Sequence, residues 1–371
     1  MTLLVHLVDF SKRTSWIEDQ MVSFEKHGID QGLLSISVPG ELHETLHQMG
    51  FSRVQNIQHN VSGLFRASSL LREWSKDDVV YVYAHGHLAS VYASFIRTLT
   101  GIDFVICHHQ PPQRYFFFLR KKMFFRASIH MALANFYLFR ARRIQSFSPE
   151  VTQSLVYRGV NLKKIFEIPL GIYFEKYFES SRKPARDSLA KEIRIVSISR
   201  LAWEKRMDLG IRTVARLIEL GVPISYVILG EGPELANLQN LVKEFGLEGQ
   251  VSLPGWRDNV KEILNDADVF FHLSLTESYG QVLMEARLAG VPIFSTPCGV
   301  ALEMEKLEDS KVRIFRGSDP EVIAEEFLGF LDTLESQQGK VESDPKELYA
   351  RHNFESVLLE LEDMFDTLFK T

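Results

Sequence analysis

The stretch Val269-Phe270-Phe271-His272-Leu273-Ser274-Leu275-Thr276-Glu277-Ser278-Tyr279-Gly280-Gln281-Val282-Leu283-Met284-Glu285 decides the fold. It opens on an apolar run over 269–273, passes Glu277, turns at a glycine and continues as a helix from about Gln281. A strand that is apolar along its whole length, rather than at alternate positions, is buried on both faces, and that is the habit of parallel strands sandwiched by helices. Working outward, similar runs recur at 3–10, 79–84, 104–107, 144–147, 165–169, 193–199, 226–229, 251–253, 292–295 and 312–315, separated by segments of helical period. The class is α/β. About five of these runs precede the polar stretch Ser180-Ser181-Arg182-Lys183-Pro184-Ala185-Arg186-Asp187 and about six follow it, so that stretch reads as the link between two doubly wound halves. Domains are expected over 1–172 and 173–353. A last helix over 354–371 carries Phe354, Val357, Leu358, Leu361, Phe365 and Leu368 as one apolar stripe. It is free to pack on the first domain, although periodicity does not say which half it covers.

Composition agrees with this size. A chain of 371 residues, at about 150 per domain, makes two domains or one large one. With 45% hydrophobic and 24% charged residues it is neither disordered nor collagenous. The net charge of −6 offers no general surface for nucleic acid. Only two cysteines occur, Cys107 and Cys298, and the first ten residues lack a basic n-region, which together predict a reducing cytosol. Every long apolar run carries Arg or Lys, so no membrane span is expected.

The chemistry concentrates in the second half. Glycine at 280 lets a ligand approach the backbone, and the helix after it offers unpaired N–H groups and a positive dipole end to a phosphate. Glu285 lies about a turn into that helix, in reach of vicinal hydroxyls, and Glu277 lies just before the turn, facing a sugar rather than its phosphates. Upstream, Ser199-Arg200-Leu201-Ala202-Trp203-Glu204-Lys205 ends a strand in two spaced cations. Cations at the carboxyl edge of a parallel strand sit where open α/β sheets bind ligands, and Arg200 with Lys205 suits a diphosphate leaving group. Alone, such a pair is more often a solvated surface feature.

Together these pieces resemble the retaining glycosyltransferases of family 4, whose E-x7-E signature matches Glu277 and Glu285. Gly230-Glu231-Gly232-Pro233, Val251-Ser252-Leu253-Pro254-Gly255-Trp256, Gly290-Val291-Pro292-Ile293, and Gly299 with Glu303 follow in the order of that family, as do Ser148-Pro149-Glu150-Val151 and Ile168-Pro169-Leu170-Gly171-Ile172 upstream. The resemblance implies a GT-B fold, two Rossmann-like doubly wound parallel-sheet domains facing a cleft. It implies transfer of a sugar, with retention, from a UDP- or GDP-sugar to a glycan or lipid-linked acceptor, as in surface-polysaccharide or glycolipid assembly. Arg200 and Lys205 would hold the diphosphate, the N–H groups of Gly280, Gln281 and Val282 its distal phosphate, Glu285 the ribose and Glu277 the donor sugar. Gly255, Trp256 and Arg257 would meet the base, and His109 would lie near the reacting carbon. No metal or other cofactor is expected. A nucleotide-sugar epimerase and a non-catalytic partner of an active transferase are the alternatives.

Four features depart from that pattern, compete with it or add to it. No glycine occurs between Met1 and Gly28, where many members carry a glycine pair. His85-Gly86-His87 and His108-His109 would suit zinc, but no Cys, Asp or Glu accompanies them at a ligand spacing. Asp266-Ala267-Asp268 has the form of a metal-nucleotide D-x-D string, yet it precedes an apolar strand and reads as structural. Finally, the residues from 104 to 149 hold eight cations (Arg114, Arg120, Lys121, Lys122, Arg126, Arg140, Arg142 and Arg143) and no acid. With Tyr115, Phe116, Phe117, Phe118, Phe124 and Phe125 interleaved, the segment bounded by Arg114 and Arg143 suits an anionic membrane surface and a peripheral cytoplasmic location, against the plainer reading of a core helix with solvated ends.

Overall fold

The computed structural model describes residues 2–12, 15–108, 123–172, 192–307, 310–336 and 346–369. The chain forms two compact units, one of residues 1–169 with 355–371 and one of residues 170–354. Each is built on a single parallel sheet.

In the first unit the strands are β1 (Thr2–Val8), β2 (Asp30–Ser35), β3 (Val54–Asn56), β4 (Val79–His85), β5 (Phe104–His108), β6 (Arg143–Ser146) and β7 (Ile165–Glu167). Their order across the sheet is β3-β2-β1-β4-β5-β6-β7. Leu3, Val5 and Leu7 turn to one face, packing with Leu71, Ala93, Ile96 and Leu138 of three helices. Val8 and Leu33 pack on the other, under Ile17 and Met21 of the helix Ser15–Lys26. Burial on both faces is why β1 shows no simple alternation. The helix Phe354–Phe369 belongs to this unit, where Phe365 meets Phe24 and Tyr83 edge-on, at centroid distances of 5.9 and 5.3 Å.

The second unit holds β8 (Ile193–Ile198), β9 (Ile224–Leu229), β10 (Val251–Gly255), β11 (Val269–His272), β12 (Ile293–Ser295) and β13 (Val312–Ile314), in the order β10-β9-β8-β11-β12-β13. This is the doubly wound 3-2-1-4-5-6 arrangement, and the strand order reverses between β8 and β11. Phe271, Phe294, Phe327 and Phe330 form the centre of its core. At the reversal the connections after β8 and β11 leave in opposite directions, opening a crevice at the carboxyl edge of the sheet.

Two sequence readings meet limits here. The linker stretch 180–187 lies outside the described residues, as do His109, Arg114, Arg120, Lys121 and Lys122 with their interleaved aromatics at 115–118. Among the described residues, no helix is long and apolar enough to cross a membrane. Cys107 and Cys298 are buried free thiols.

Candidate functional site

The connections after β8 and β11 bring together what lies 72 residues apart in sequence. Lys205, in a short helical turn Trp203–Lys205, forms an ion pair with Glu277 Oε1. Ser274 Oγ donates to the same oxygen at 2.9 Å, and His272 Nε2 lies 3.1 Å from it, at ion-pair distance but off hydrogen-bond alignment. Burial by itself raises the Glu277 carboxyl. The His272 and Lys205 side chains beside it outweigh burial and hold it down at about 2. At 15% and 13% side-chain exposure, Lys205 and Glu277 sit low in the crevice.

Arg200 occupies the same loop differently. Its side chain is 67% exposed and reaches Glu204 Oε1 at 2.6 Å, while Glu204 is nearly buried. Glu204 also ties the two loops, because its carbonyl accepts from the Leu275 N–H at 2.8 Å. Neither Glu204, Ser274 nor His272 stands out in the sequence as a functional residue. They carry no motif, and only the adjacency of β8 and β11 gives them partners.

The helix Gln281–Leu288 starts at Gly280, which caps it in the left-handed region at φ 84°. The first N–H groups of a helix have no intrahelical partner, so those of Gln281 and Val282 point back toward the crevice. The turn is held from behind: Val300 N–H donates to the Tyr279 carbonyl at 2.7 Å. Gly299, at φ 56°, permits this approach, since a Cβ there would stand 2.2 Å from the Tyr279 carbonyl oxygen. Glu285 lies one turn along, half-buried, accepting at Oε1 from Gln281 Nε2 at 2.9 Å.

Gly255, Trp256 and Arg257 leave the end of β10, two strands from β8. At about 4.8 Å per strand they stand about 10 Å along the same sheet edge. Trp256 is 65% exposed, with its indole N–H donating to Asp258 at 3.1 Å. The described candidates therefore share one edge of one sheet, whereas His109 lies outside the described residues.

The competing metal readings are placed elsewhere. Asp268 accepts from the Arg194 N–H at 2.8 Å, at the start of β8 and so at the opposite edge of the sheet. Asp266 caps the helix Val260–Asn265. His85 bonds to His6 at 3.0 Å, and His87 bonds to the Tyr137 hydroxyl at 3.2 Å and lies against the His130 ring. Among the described residues, no group of three or more His, Cys, Asp or Glu is arranged to hold a metal ion.

The basic segment shows a divided face. On the helix Phe124–Arg140, Phe125, Ile129, Phe136 and Phe139 fall on one stripe, and all four are exposed. Arg126 is exposed as well. Arg140 lies over the ring of Phe136 and donates to Thr98 at 2.8 Å, and Arg143 stacks over Phe166.

Comparison with known proteins meets this geometry at the second unit. Residues 180–340 match the family model described as Glycosyl transferases group 1. The gpi3 subunit of phosphatidylinositol N-acetylglucosaminyltransferase from Schizosaccharomyces pombe is 31% identical over 150 residues, 40% of this chain and 32% of that protein. A putative colanic acid biosynthesis glycosyltransferase, WcaL of Escherichia coli, is 34% identical over 146 residues, 37% of this chain and 35% of its own length. The match thus spans about a third of the length of either relative. The structure of Anabaena HepE in complex with UDP and glucose superposes with a TM-score of 0.77, covering 99% of this chain and 100% of that one at 15% identity, which establishes a shared fold. The chain has the GT-B architecture of two Rossmann-like parallel-sheet units, and the match to the glycosyl transferases group 1 model falls on its second unit.

Proposed function

We propose that the chain is a retaining glycosyltransferase of the family 4 type, moving a hexosyl group from a UDP- or GDP-sugar to a glycan or lipid-linked acceptor in polysaccharide or glycolipid assembly. The observation that carries this reading is the Lys205–Glu277 pair in the β8/β11 crevice, beside a glycine-capped helix start. A diphosphate entering there competes with Glu277 for the Lys205 ammonium. The carboxylate, still held by Ser274, becomes available to donor-sugar hydroxyls. Lys205 and exposed Arg200 neutralise charge that grows on the diphosphate as the glycosidic bond breaks, and the N–H groups of Gly280, Gln281 and Val282 cap its distal phosphate. Glu285 takes the ribose hydroxyls, and Gly255, Trp256 and Arg257 take the base further along the edge. In the same reading His109 serves the reacting carbon. The UDP seen with HepE supports a nucleotide-sugar donor, and the glycosyltransferase names of the relatives support sugar transfer.

Because two cations and a helix start supply positive potential, turnover needs no divalent metal in this reading. The outward apolar stripe of the helix Phe124–Arg140, in a segment without acids, suits an anionic bilayer from which a lipid-linked acceptor is drawn. The test is a thermal-shift screen over UDP-, GDP- and ADP-sugars, followed by turnover of the stabilising donor with and without EDTA. A ligand bound only by the folded chain raises its melting temperature. Stabilisation by one donor and EDTA-resistant release of its nucleotide are expected. No stabilisation by any nucleotide-sugar would reject the assignment, and turnover that EDTA abolishes and manganese restores would reject metal independence.

A further inference from the structure

Tyr279 stands between Glu277 and Gly280 with only 3% of its surface exposed, and both of its ends are held. Its carbonyl takes the Val300 N–H, and its hydroxyl meets His352 Nδ1 at 2.9 Å, across 73 residues of sequence. His352 is itself 1% exposed and ends the helix Lys346–His352. Its other nitrogen, Nε2, lies 3.1 Å from Glu303 Oε2, at ion-pair distance but off hydrogen-bond alignment, while Glu303 Oε1 takes Arg351 Nη1 at 3.1 Å. Glu303 belongs to the helix Ala301–Lys306, directly after the Gly299-Val300 step that backs the turn.

This chain of contacts fixes where the protons are. Burial alone raises the Glu303 carboxyl, but His352 and Arg351 outweigh it and leave the group below its ordinary value, so it is an ionised acceptor. A carboxylate beside Nε2 favours the tautomer with its proton there, which leaves Nδ1 as an acceptor. Burial also keeps the Tyr279 phenol well above its usual value, so the hydroxyl retains its proton and donates to Nδ1. The imidazole backbone is anchored too: the His352 carbonyl accepts from Ile172 N–H at 2.9 Å, and Phe354 N–H donates to the Ile172 carbonyl at 3.1 Å.

We propose that His352 is a positioning residue for donor binding: through Tyr279 it fixes the Gly280 turn, and with it the N–H groups that receive the distal phosphate. The inference rests on the nucleotide-sugar reading for its consequence, but its structural half stands apart from that reading. Asparagine at 352 places an acceptor near the Nδ1 position, whereas glutamine places its amide near Nε2. His352→Asn therefore keeps the Tyr279 partner and loses the Glu303 partner, and His352→Gln does the reverse.

The experiment compares the wild type, Tyr279→Phe, His352→Asn, His352→Gln and the Tyr279→Phe/His352→Gln double variant. Amide hydrogen exchange of the unliganded chain at residues 280–283 should quicken in Tyr279→Phe and His352→Gln and stay near wild type in His352→Asn. Affinity for UDP or GDP should fall about three- to tenfold in the first two, as for one lost hydrogen bond, and no further in the double variant. Unchanged exchange in Tyr279→Phe, which keeps the ring and its packing, would overturn the proposal. So would additive losses in the double variant, or equal losses in the asparagine and glutamine variants. If the wild type binds no nucleoside diphosphate, the functional reading fails while the exchange data still decide the role of His352.

Discussion

Glu277 and Glu285 are both acids within one short loop and helix, yet their surroundings differ, and the proposed function gives them different work. Glu285 faces the helix start beside Gln281, where a ribose would lie, and Glu277 is packed against Lys205, Ser274 and His272. Glu285→Gln should weaken free nucleotide by about 1–3 kcal/mol, the range for a charge-assisted hydrogen bond, as read by calorimetry. Glu277→Gln should not weaken free nucleotide, since it removes the competitor for Lys205, and should lower turnover of the nucleotide-sugar. Equal loss of nucleotide in both would contradict the division. A pH effect belongs to Glu277 as well. Its carboxyl sits at about 2 in the folded chain against 4.5 for an ordinary glutamate, so it adds stability that is fully present above about pH 4.5 and is lost as pH falls toward 2. The stability gap between wild type and Glu277→Gln should therefore be wider at pH 6 than at pH 3 in urea unfolding. At this scale the sequence is legible where a motif exists, as in the spacing of Glu277 to Glu285 or Arg200 to Lys205. Glu204, Ser274, His272 and His352 are silent, because each acts through a partner that only the folded topology supplies.

Secondary elements were legible to the degree that burial shaped them. The apolar runs at 79–84, 104–107, 193–199 and 269–273 all became central strands, since two covered faces leave few polar positions. β2 and β3 gave no such signal. β2 begins Asp30-Gln31-Gly32, and Gln31 is spent on His6, whose Nε2 it meets at 2.9 Å. β3 is three residues long at the sheet edge, where one side of the strand needs no partner. The helix Phe124–Arg140 poses the opposite case, with apolar residues where a water-facing stripe is polar in ordinary proteins. If that stripe meets a bilayer, Phe125→Ser/Phe139→Ser should reduce co-sedimentation with anionic liposomes by at least about tenfold, since burying each ring contributes roughly 1.5–3 kcal/mol. Both rings are exposed, so thermal stability should hardly change. Binding by the variant equal to that of the wild type would leave the stripe without a bilayer role. Salt should weaken wild-type binding without abolishing it, because the apolar part is unscreened.

The whole molecule is divided unevenly along its chain. The second unit is one continuous stretch, but the first is closed by residues that come after it. Val357, Leu358, Leu361, Met364 and Phe365 are all buried, and the periodicity that marks their stripe has its explanation in the first unit, where Phe365 meets Phe24 of the helix Ser15–Lys26 and Tyr83 of β4. At roughly 1.5–3 kcal/mol for each large side chain, their burial is comparable to the entire margin of about 5–15 kcal/mol by which a typical domain is stable. Truncation before Phe354 should therefore unfold the first unit selectively, seen as rapid proteolysis of residues 1–169 while a fragment containing residues 192–336 survives. Survival of both would mean that the helix is dispensable.

The same discontinuity sets an order of events on the ribosome. A nascent chain presents the first seven strands early, but the helix that covers Tyr83 and Phe24 emerges only after the whole of the second unit has been synthesised. Domains generally fold as they appear, at about 5–20 residues per second of elongation, so residues 1–169 wait on the order of ten seconds or more with an apolar face uncovered. The second unit, needing nothing downstream of Phe354, finishes first. The part of the chain made earliest is thus the part completed last, and it is the part whose apolar face would have to be shielded during translation.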